Sequence, residues 1–179
     1  MIDTNYGIEA FEFLLDKECL SKRYYPLIPL KSELVSQSEK LGYKTKNDIA
    51  KLSDCEFAVF GLQSEEKIRL MRNFLKLYDP NPQKFKEIEK LDIGEEERFA
   101  FRELYCLPGV KYTRASLYYY SGYKSLKDIA DADMKEILEK TASAISEYKL
   151  SCIVPLPKEV RTHIAVAKAF TGEYGKRIK

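Results

Sequence analysis

The chain has 179 residues, of which 45% are apolar and 32% charged, and its 30 basic and 28 acidic residues leave a net charge of only +2. This length and composition are typical of a folded protein with a hydrophobic core, and they exclude a largely disordered chain. The near balance of charge predicts no overall attraction to nucleic acid or to an anionic membrane, so any basic binding surface has to be local.

The four cysteines lie far apart, and no pair has the short spacing of a metal site or of a redox-active Cys-x-x-Cys motif. We therefore expect free, mostly buried thiols and no bound metal. The first residues, Met1–Asn5, lack the basic and apolar segments of a signal peptide. No apolar run approaches the ~18 residues that a membrane-spanning helix needs. These features predict a cytoplasmic protein without a membrane partner.

In chain order, the first predicted element is an apolar helix face in the opening segment. Its apolar positions are Tyr6, Ile8, Phe11, Leu14 and Leu15. Acidic residues flank this face, so we expect it to form core rather than a membrane anchor.

A helical unit follows. A helix ending near residues 24–25 is predicted to lead through a tight proline turn at 27–31 into a helix of about ten residues. Gly42 can take the left-handed conformation that ends a helix. Thr45 is then a suitable N-cap for a short helix, with Asp48 in the place of a capping-box acid.

The same pattern returns 80 residues later. Residues 42–50 and 122–130 are identical at six of nine positions, with Gly122, Ser125 and Asp128 in the roles of glycine stop, N-cap and capping acid. The turn at 107–111 corresponds to 27–31, and the preceding helix is predicted to end near residues 105–106. A repeat at a fixed offset indicates a repeated structural unit. The predicted fold is therefore all-α, with two tandem units at residues 1–79 and 80–179.

The remaining segments are also predicted to be helical. Pro82 is suited to a helix start, and Glu95–Glu97 complement a helix N-terminus after Gly94. Three further helices are indicated by apolar residues at three- and four-residue spacing: Ile68, Met71, Leu75 and Tyr78; Met134, Ile137, Leu138, Thr141, Ala142 and Ile145; and Val160, Ile164, Ala167 and Phe170. The only strand-like run, 152–154, is short and stops at Pro155. His163, the single histidine, is interpreted as a packing residue at the edge of an apolar face.

Residues 107–117, with Leu107-Pro108-Gly109-Val110-Lys111, Arg114, Ala115 and Leu117, together with 122–130, resemble the helix-hairpin-helix motif. More narrowly, residues 27–170 resemble an uncharacterised bacterial family, a domain of unknown function with two such units. The resemblance implies a glycine-bounded hairpin whose exposed backbone N–H groups bind a phosphate at a helix N-terminus.

The resemblance also implies that Gly109 holds the first hairpin glycine position, whereas Lys111 stands where a second glycine is usual. The Lys111 side chain at this position obstructs the close approach of a phosphate to the backbone, although its ammonium group can replace a contact from a backbone amide. In the first unit, Ile28-Pro29-Leu30 contains no glycine, so that hairpin is predicted to serve packing only.

Local charge also singles out the second unit. Residues 108–127 contain four basic residues, no acid and five tyrosines, a local charge of +4, whereas residues 28–47 contain four lysines and two glutamates, a local charge of +2. The candidate nucleic-acid-binding residues are Pro108, Gly109, Val110, Lys111, Arg114 and Lys124.

Two functions are compatible with this sequence. One is a non-enzymatic module, without a small-molecule cofactor, that binds the nucleic-acid backbone weakly and without sequence preference. The other is a protein–protein interaction scaffold, in which the lysines are a solvated face and the tyrosines pack. Three consecutive tyrosines on a helix point about 100° apart, so some must be core. The basic tail at 176–179 is interpreted as solvated, or as an electrostatic arm. No nucleotide-binding glycine motif or set of catalytic groups predicts an enzyme.

Overall fold

The computed structural model describes residues 4–174, and within them all regular structure is helical, which confirms the all-α prediction for this part of the chain. The α-helices are α1 (Phe11–Leu14), α2 (Lys31–Leu41), α3 (Lys46–Ala50), α4 (Glu65–Leu75), α5 (Pro82–Ile88), α6 (Glu95–Leu104), α7 (Tyr112–Tyr120), α8 (Leu126–Asp131), α9 (Met134–Glu147) and α10 (Pro157–Thr171). Short 3-10 helices lie at Ile8–Ala10, Lys22–Leu30 and Glu56–Phe60. The basic tail at 176–179 lies outside the described residues.

The opening segment forms core, as predicted. The side chains of Tyr6, Ile8, Phe11, Leu14 and Leu15 are all buried. The segment is not one continuous helix, because a 3-10 turn leads into the single turn of α1 and the backbone leaves helical geometry at Leu15.

The two glycine stops have the same backbone geometry. Gly42 ends α2 with a φ of 77°, and Gly122 follows α7 with a φ of 90°. The amide after each glycine donates to a carbonyl five residues earlier, over 2.9 Å in both units: Tyr43 to Ser38, and Tyr123 to Tyr118. This bond is part of the Schellman pattern, which satisfies the free carbonyls at a helix end.

The short helices that follow begin with corresponding residue pairs, Thr45 with Asp48 in α3 and Ser125 with Asp128 in α8. The Ser125 hydroxyl accepts from the Asp128 amide over 3.1 Å, whereas the Thr45 hydroxyl donates to the Asp48 carboxylate over 3.1 Å. Each aspartate also accepts two backbone N–H groups ahead of its helix, from Lys44 and Thr45 in the first unit and from Lys124 and Ser125 in the second. The predicted caps and glycine stops are confirmed in both segments.

The predicted proline turn of the first unit is wrong. Residues Lys22–Leu30 form a 3-10 helix that contains Pro26 and Pro29 and leads directly into α2. In the repeat register Pro29 stands opposite Gly109, which adopts a φ of 75°. Since proline holds φ near −65°, the first unit cannot form the same turn. The helix predicted to end near residues 24–25 is this same 3-10 helix, whereas in the second unit α6 ends at Leu104, close to the predicted position.

Residues from both predicted units contribute to one hydrophobic core. The rings of Tyr6 and Phe170 lie 6.4 Å apart, and the amide of Gly7 donates to the Tyr174 hydroxyl over 2.8 Å. At the predicted boundary between the units, Pro82 is the first residue of α5. The opening segment thus packs on α10, which also supports the hairpin of the second unit.

Candidate nucleic-acid interface

The turn between α6 and α7 is a tight proline–glycine turn. The amide of Val110 donates to the carbonyl of Leu107 over 3.3 Å, with Pro108 and Gly109 at the two central positions. The φ of 75° at Gly109 is the value that a type II turn requires at its third residue. Gly109 is exposed, and no atom outside its immediate neighbours lies within 4 Å of the position where a side chain would begin. The predicted tight proline turn is therefore present at residues 107–110.

Side chains from two other helices form hydrogen bonds with carbonyl groups of this turn. The Nε2 atom of His163, in α10, lies 2.9 Å from the carbonyl oxygen of Pro108. The ammonium group of Lys84, in α5, donates to the carbonyl oxygen of Val110 over 3.2 Å. Two helices distant in the chain therefore fix the orientation of the turn.

The contacts of His163 define its protonation state. A carbonyl oxygen can only accept, so Nε2 carries the proton, and Nδ1 accepts from the Tyr118 hydroxyl at 2.6 Å. His163 is only 1% exposed, and burial lowers its pKa to about 4. Burial also raises the pKa of Tyr118, which keeps the hydroxyl protonated as a donor. His163, interpreted from the sequence as a packing residue, is a neutral buried link between α7 and the hairpin.

Several hydrogen-bond donors around the turn remain unused. The amide of Gly109 donates no hydrogen bond within the described residues, and no side chain caps the first turn of α7. Lys111, the residue before α7, is exposed and has no ion-pair partner in residues 4–174. Burial lowers the pKa of Lys84, and the nearby charge of Lys111 acts in the same direction. The free N–H donors, together with Lys111 and Lys84, therefore make the turn at Gly109 attractive to an anion.

Arg114 is committed to an internal ion pair. Its guanidinium contacts both carboxylate oxygens of Glu159, at 2.8 and 3.2 Å, and donates to the Ile153 carbonyl over 3.0 Å. The Arg114 side chain is 18% exposed. Its main role is thus to hold α10 and the segment before it against α7, and its charge is already offset.

Lys124 lies away from the hairpin. It follows the C-terminal end of α7, whereas Lys111 precedes the N-terminal end, and a nine-residue helix is about 13 Å long. Its ammonium group contacts Glu96 at 2.6 Å, which raises the pKa of Lys124 through this hydrogen bond. Lys127 contacts Asp131 and Glu173 in the same manner. The structure therefore brings together Pro108, Gly109, Val110 and Lys111, and separates Lys124 from them.

The tyrosines of α7 divide between core and surface, as the helical geometry predicts. Tyr118 is fully buried, Tyr119 is partly buried and Tyr120 is exposed. The rings of Tyr120 and Tyr148 lie 5.1 Å apart at the surface. Tyr112 is also exposed, with its ring against Phe101. The exposed tyrosines therefore lie at both ends of α7.

Two of the four lysines in residues 28–47 make contacts within the fold. Lys46 is buried in an ion pair with Asp79 and lies over the Tyr6 ring at 5.4 Å. The Lys31 ammonium group donates to the Glu12 carbonyl over 3.0 Å. Residues 27–31 form no turn equivalent to the Gly109 turn, because Pro29 lies inside a helix.

The cysteines form no disulfide, but the prediction that most are buried holds fully only for Cys106, because Cys55 is exposed and the other two are partly buried. Burial raises the pKa of both Cys19 and Cys106 to about 12, so neither thiol is an activated nucleophile. Across residues 4–174, no group of three or more His, Cys, Asp or Glu side chains is arranged to hold a metal ion. In the same residues, no helix has both the length and the apolar character needed to cross a bilayer.

Sequence reasoning missed the partners of the hairpin. Lys84 precedes Val110 by 26 residues and His163 follows Pro108 by 55, and neither has a local signal that connects it to the turn. Comparison of the chain with known protein families, curated proteins and solved structures found no match.

Proposed function

We propose that this chain is a non-enzymatic helix-hairpin-helix module that binds the phosphate backbone of nucleic acid weakly and without sequence preference. The observation that carries the proposal is the exposed turn at Gly109, where an unpaired amide lies beside Lys111 and Lys84. Backbone N–H groups at the start of a helix attract phosphate through free donors and through the positive end of the helix dipole. Contacts of this kind position a backbone and carry no sequence information.

The expected affinity is low, because few cations are free. Arg114 and Lys124 already contact carboxylates, which leaves Lys111 and Lys84 as the main contributors of charge. With two phosphate contacts on a duplex, the binding constant should fall about tenfold between 50 and 200 mM salt.

Fluorescence anisotropy with a labelled duplex and a labelled single strand, each at low and high salt, tests the proposal. Lys111→Glu should weaken binding about tenfold or more, through loss of one contact and repulsion of the phosphate. Lys135→Glu is the matched control, because its side chain is 81% exposed on α9 and carries the same charge change. Absence of binding at low salt, or equal effects of the two substitutions, would remove the proposal.

A second candidate, a protein-interaction scaffold, is favoured by exposed apolar side chains. Ile153 and Leu156 are 75% and 67% exposed in the segment before α10, and elsewhere the contacting Tyr120 and Tyr148 rings lie at the surface. Contiguous exposed apolar patches are typical of protein contact surfaces. A partner whose binding is lost in Ile153→Ser plus Leu156→Ser, and retained in Lys111→Glu, would support this function. The reverse pattern would support phosphate binding.

A further inference from the structure

We infer that His163 is a positioning residue for the Gly109 amide, which it directs toward the ligand by holding the Pro108 carbonyl from inside the protein. The inference rests on the proposed function, because it concerns the same phosphate-binding turn. His163 itself lies in the core and does not touch the ligand.

The planarity of the peptide bond couples the Pro108 carbonyl to the Gly109 amide. In a trans peptide the C=O of one residue and the N–H of the next point in opposite directions. All peptide bonds in residues 4–174 are trans. The Pro108 carbonyl points inward to the imidazole of His163, so the Gly109 N–H on the same peptide plane points outward. The buried hydrogen bond thereby sets the direction of the exposed donor.

The imidazole of His163 is fixed by contacts on both ring nitrogens. Tyr118 donates to Nδ1 at 2.6 Å, and this contact, with the accepting carbonyl on Nε2, fixes both the ring orientation and the tautomer. One helical turn earlier on α10, Glu159 holds Arg114 of α7. Two contacts, one helical turn apart on α10, therefore hold α10 against α7. The hydrogen bond from His163 to Pro108 fixes the 107–110 turn relative to both helices.

The turn at Gly109 has conformational freedom of its own. Gly109 has open space around it and a left-handed φ that only the turn geometry maintains. Without the hydrogen bond from His163, the 108–109 peptide can rotate at low cost, because neighbouring turn types differ mainly in the orientation of this central peptide. A rotated peptide presents a carbonyl to the ligand in place of an amide, and a carbonyl repels phosphate.

The test uses two substitutions at one site in the full chain. His163→Phe keeps a planar ring but has no donor, whereas His163→Gln retains an N–H near the position of Nε2. Anisotropy with the labelled single strand and duplex at low salt should show about fivefold weaker binding for the Phe variant, as expected for loss of one hydrogen bond. The Gln variant should bind within about twofold of the unchanged protein.

NMR distinguishes a positioning role of His163 from a role in stability alone, which would leave the Gly109 amide resonance unchanged. In ¹⁵N-edited spectra the Gly109 amide should shift in the Phe variant, and it should regain its position in the Gln variant. Equal binding by the Phe variant and the unchanged protein would overturn the inference and leave the proposed function standing. Absence of binding by the unchanged protein would remove both.

A third variant keeps the inference testable if the Phe protein does not fold. Tyr118→Phe removes only the hydroxyl that fixes the tautomer of His163. We expect weaker binding together with a shifted Gly109 amide. Unchanged binding and an unmoved Gly109 resonance would overturn the inference.

Discussion

The imidazole of His163 donates a hydrogen bond to the carbonyl of Pro108 across 2.9 Å, although the two residues are 55 positions apart in the chain. Because this imidazole is buried and neutral, the contact makes the stability of the fold depend on pH. The same hydrogen bond links the C-terminal helix to the exposed turn at Gly109.

The first prediction concerns acid stability. The pKa of His163 is about 4 in the folded protein and 6.5 in a solvated chain, so between these values the unfolded chain binds a proton that the folded chain does not. The stabilising contribution is therefore complete above pH 6.5 and is lost as the pH falls toward 4. The free energy of unfolding should fall by up to about 1.4 kcal/mol per pH unit from this group alone.

Urea denaturation at several pH values between 7.5 and about 4.5 measures this effect. His163→Phe is the control, because it removes the titrating group and leaves the carboxylates in place. The difference in unfolding free energy between the two proteins should change with pH in this window. A constant difference would show that His163 is not neutral and buried in solution.

The second prediction compares two ion pairs by double-mutant cycles. Arg114 and Glu159 form a two-contact pair whose side chains are largely shielded from water. We expect a coupling energy of about 1–2 kcal/mol for this pair. Lys124 and Glu96 are well exposed, so their coupling should not exceed about 0.5 kcal/mol. Similar coupling in both cycles would contradict the assignment of Arg114 to a structural role.

The third prediction concerns the equivalent capping aspartates. Asp48 and Asp128 each accept two backbone N–H groups at the start of a short helix. Asp48→Ala and Asp128→Ala should each lower the free energy of unfolding by about 1–2 kcal/mol, and by similar amounts. The backbone hydrogen bonds from Lys44 and Thr45 hold the pKa of Asp48 below its usual value. The decrease in unfolding free energy caused by Asp48→Ala should therefore become smaller in strong acid, where Asp48 is protonated. Denaturation of both variants at neutral pH tests the equivalence, and strongly unequal losses would contradict it.

Local sequence patterns were sufficient for the parts of the fold that depend on local interactions. The caps at Thr45 and Ser125 and the left-handed glycines at 42 and 122 involve residues within five positions of each other, and all were predicted. The predicted proline turn of the first unit is wrong because Pro29 stands opposite Gly109 in the repeat register, and proline cannot adopt a positive φ.

The candidate site could be predicted only in part, because folding brings distant charges together. The sequence of residues 108–127 contains no acid, but Glu159 of α10, Glu96 of α6 and Glu173, which follows the end of α10, contact its basic side chains. A local charge of +4 in the sequence therefore corresponds in space to Lys111, joined by Lys84 from α5. No count along a single segment can anticipate partners that lie 26 to 46 residues away.

The last prediction concerns the end of α9. Lys149 is the only non-glycine residue in the described chain with a positive φ, 52°, and it lies where glycine usually ends a helix. The next amide, that of Leu150, donates to the Ile145 carbonyl over 3.1 Å, so the backbone must keep this geometry. Lys149→Gly should relieve about 1–2 kcal/mol of strain and lose about 0.4–1 kcal/mol to the greater freedom of the unfolded chain. The expected net gain in stability is about 0.5–1 kcal/mol, measured by thermal and urea denaturation. Lys149→Ala removes the same side chain without relieving φ and should give no gain, so equal effects of the two substitutions would contradict the explanation by backbone strain.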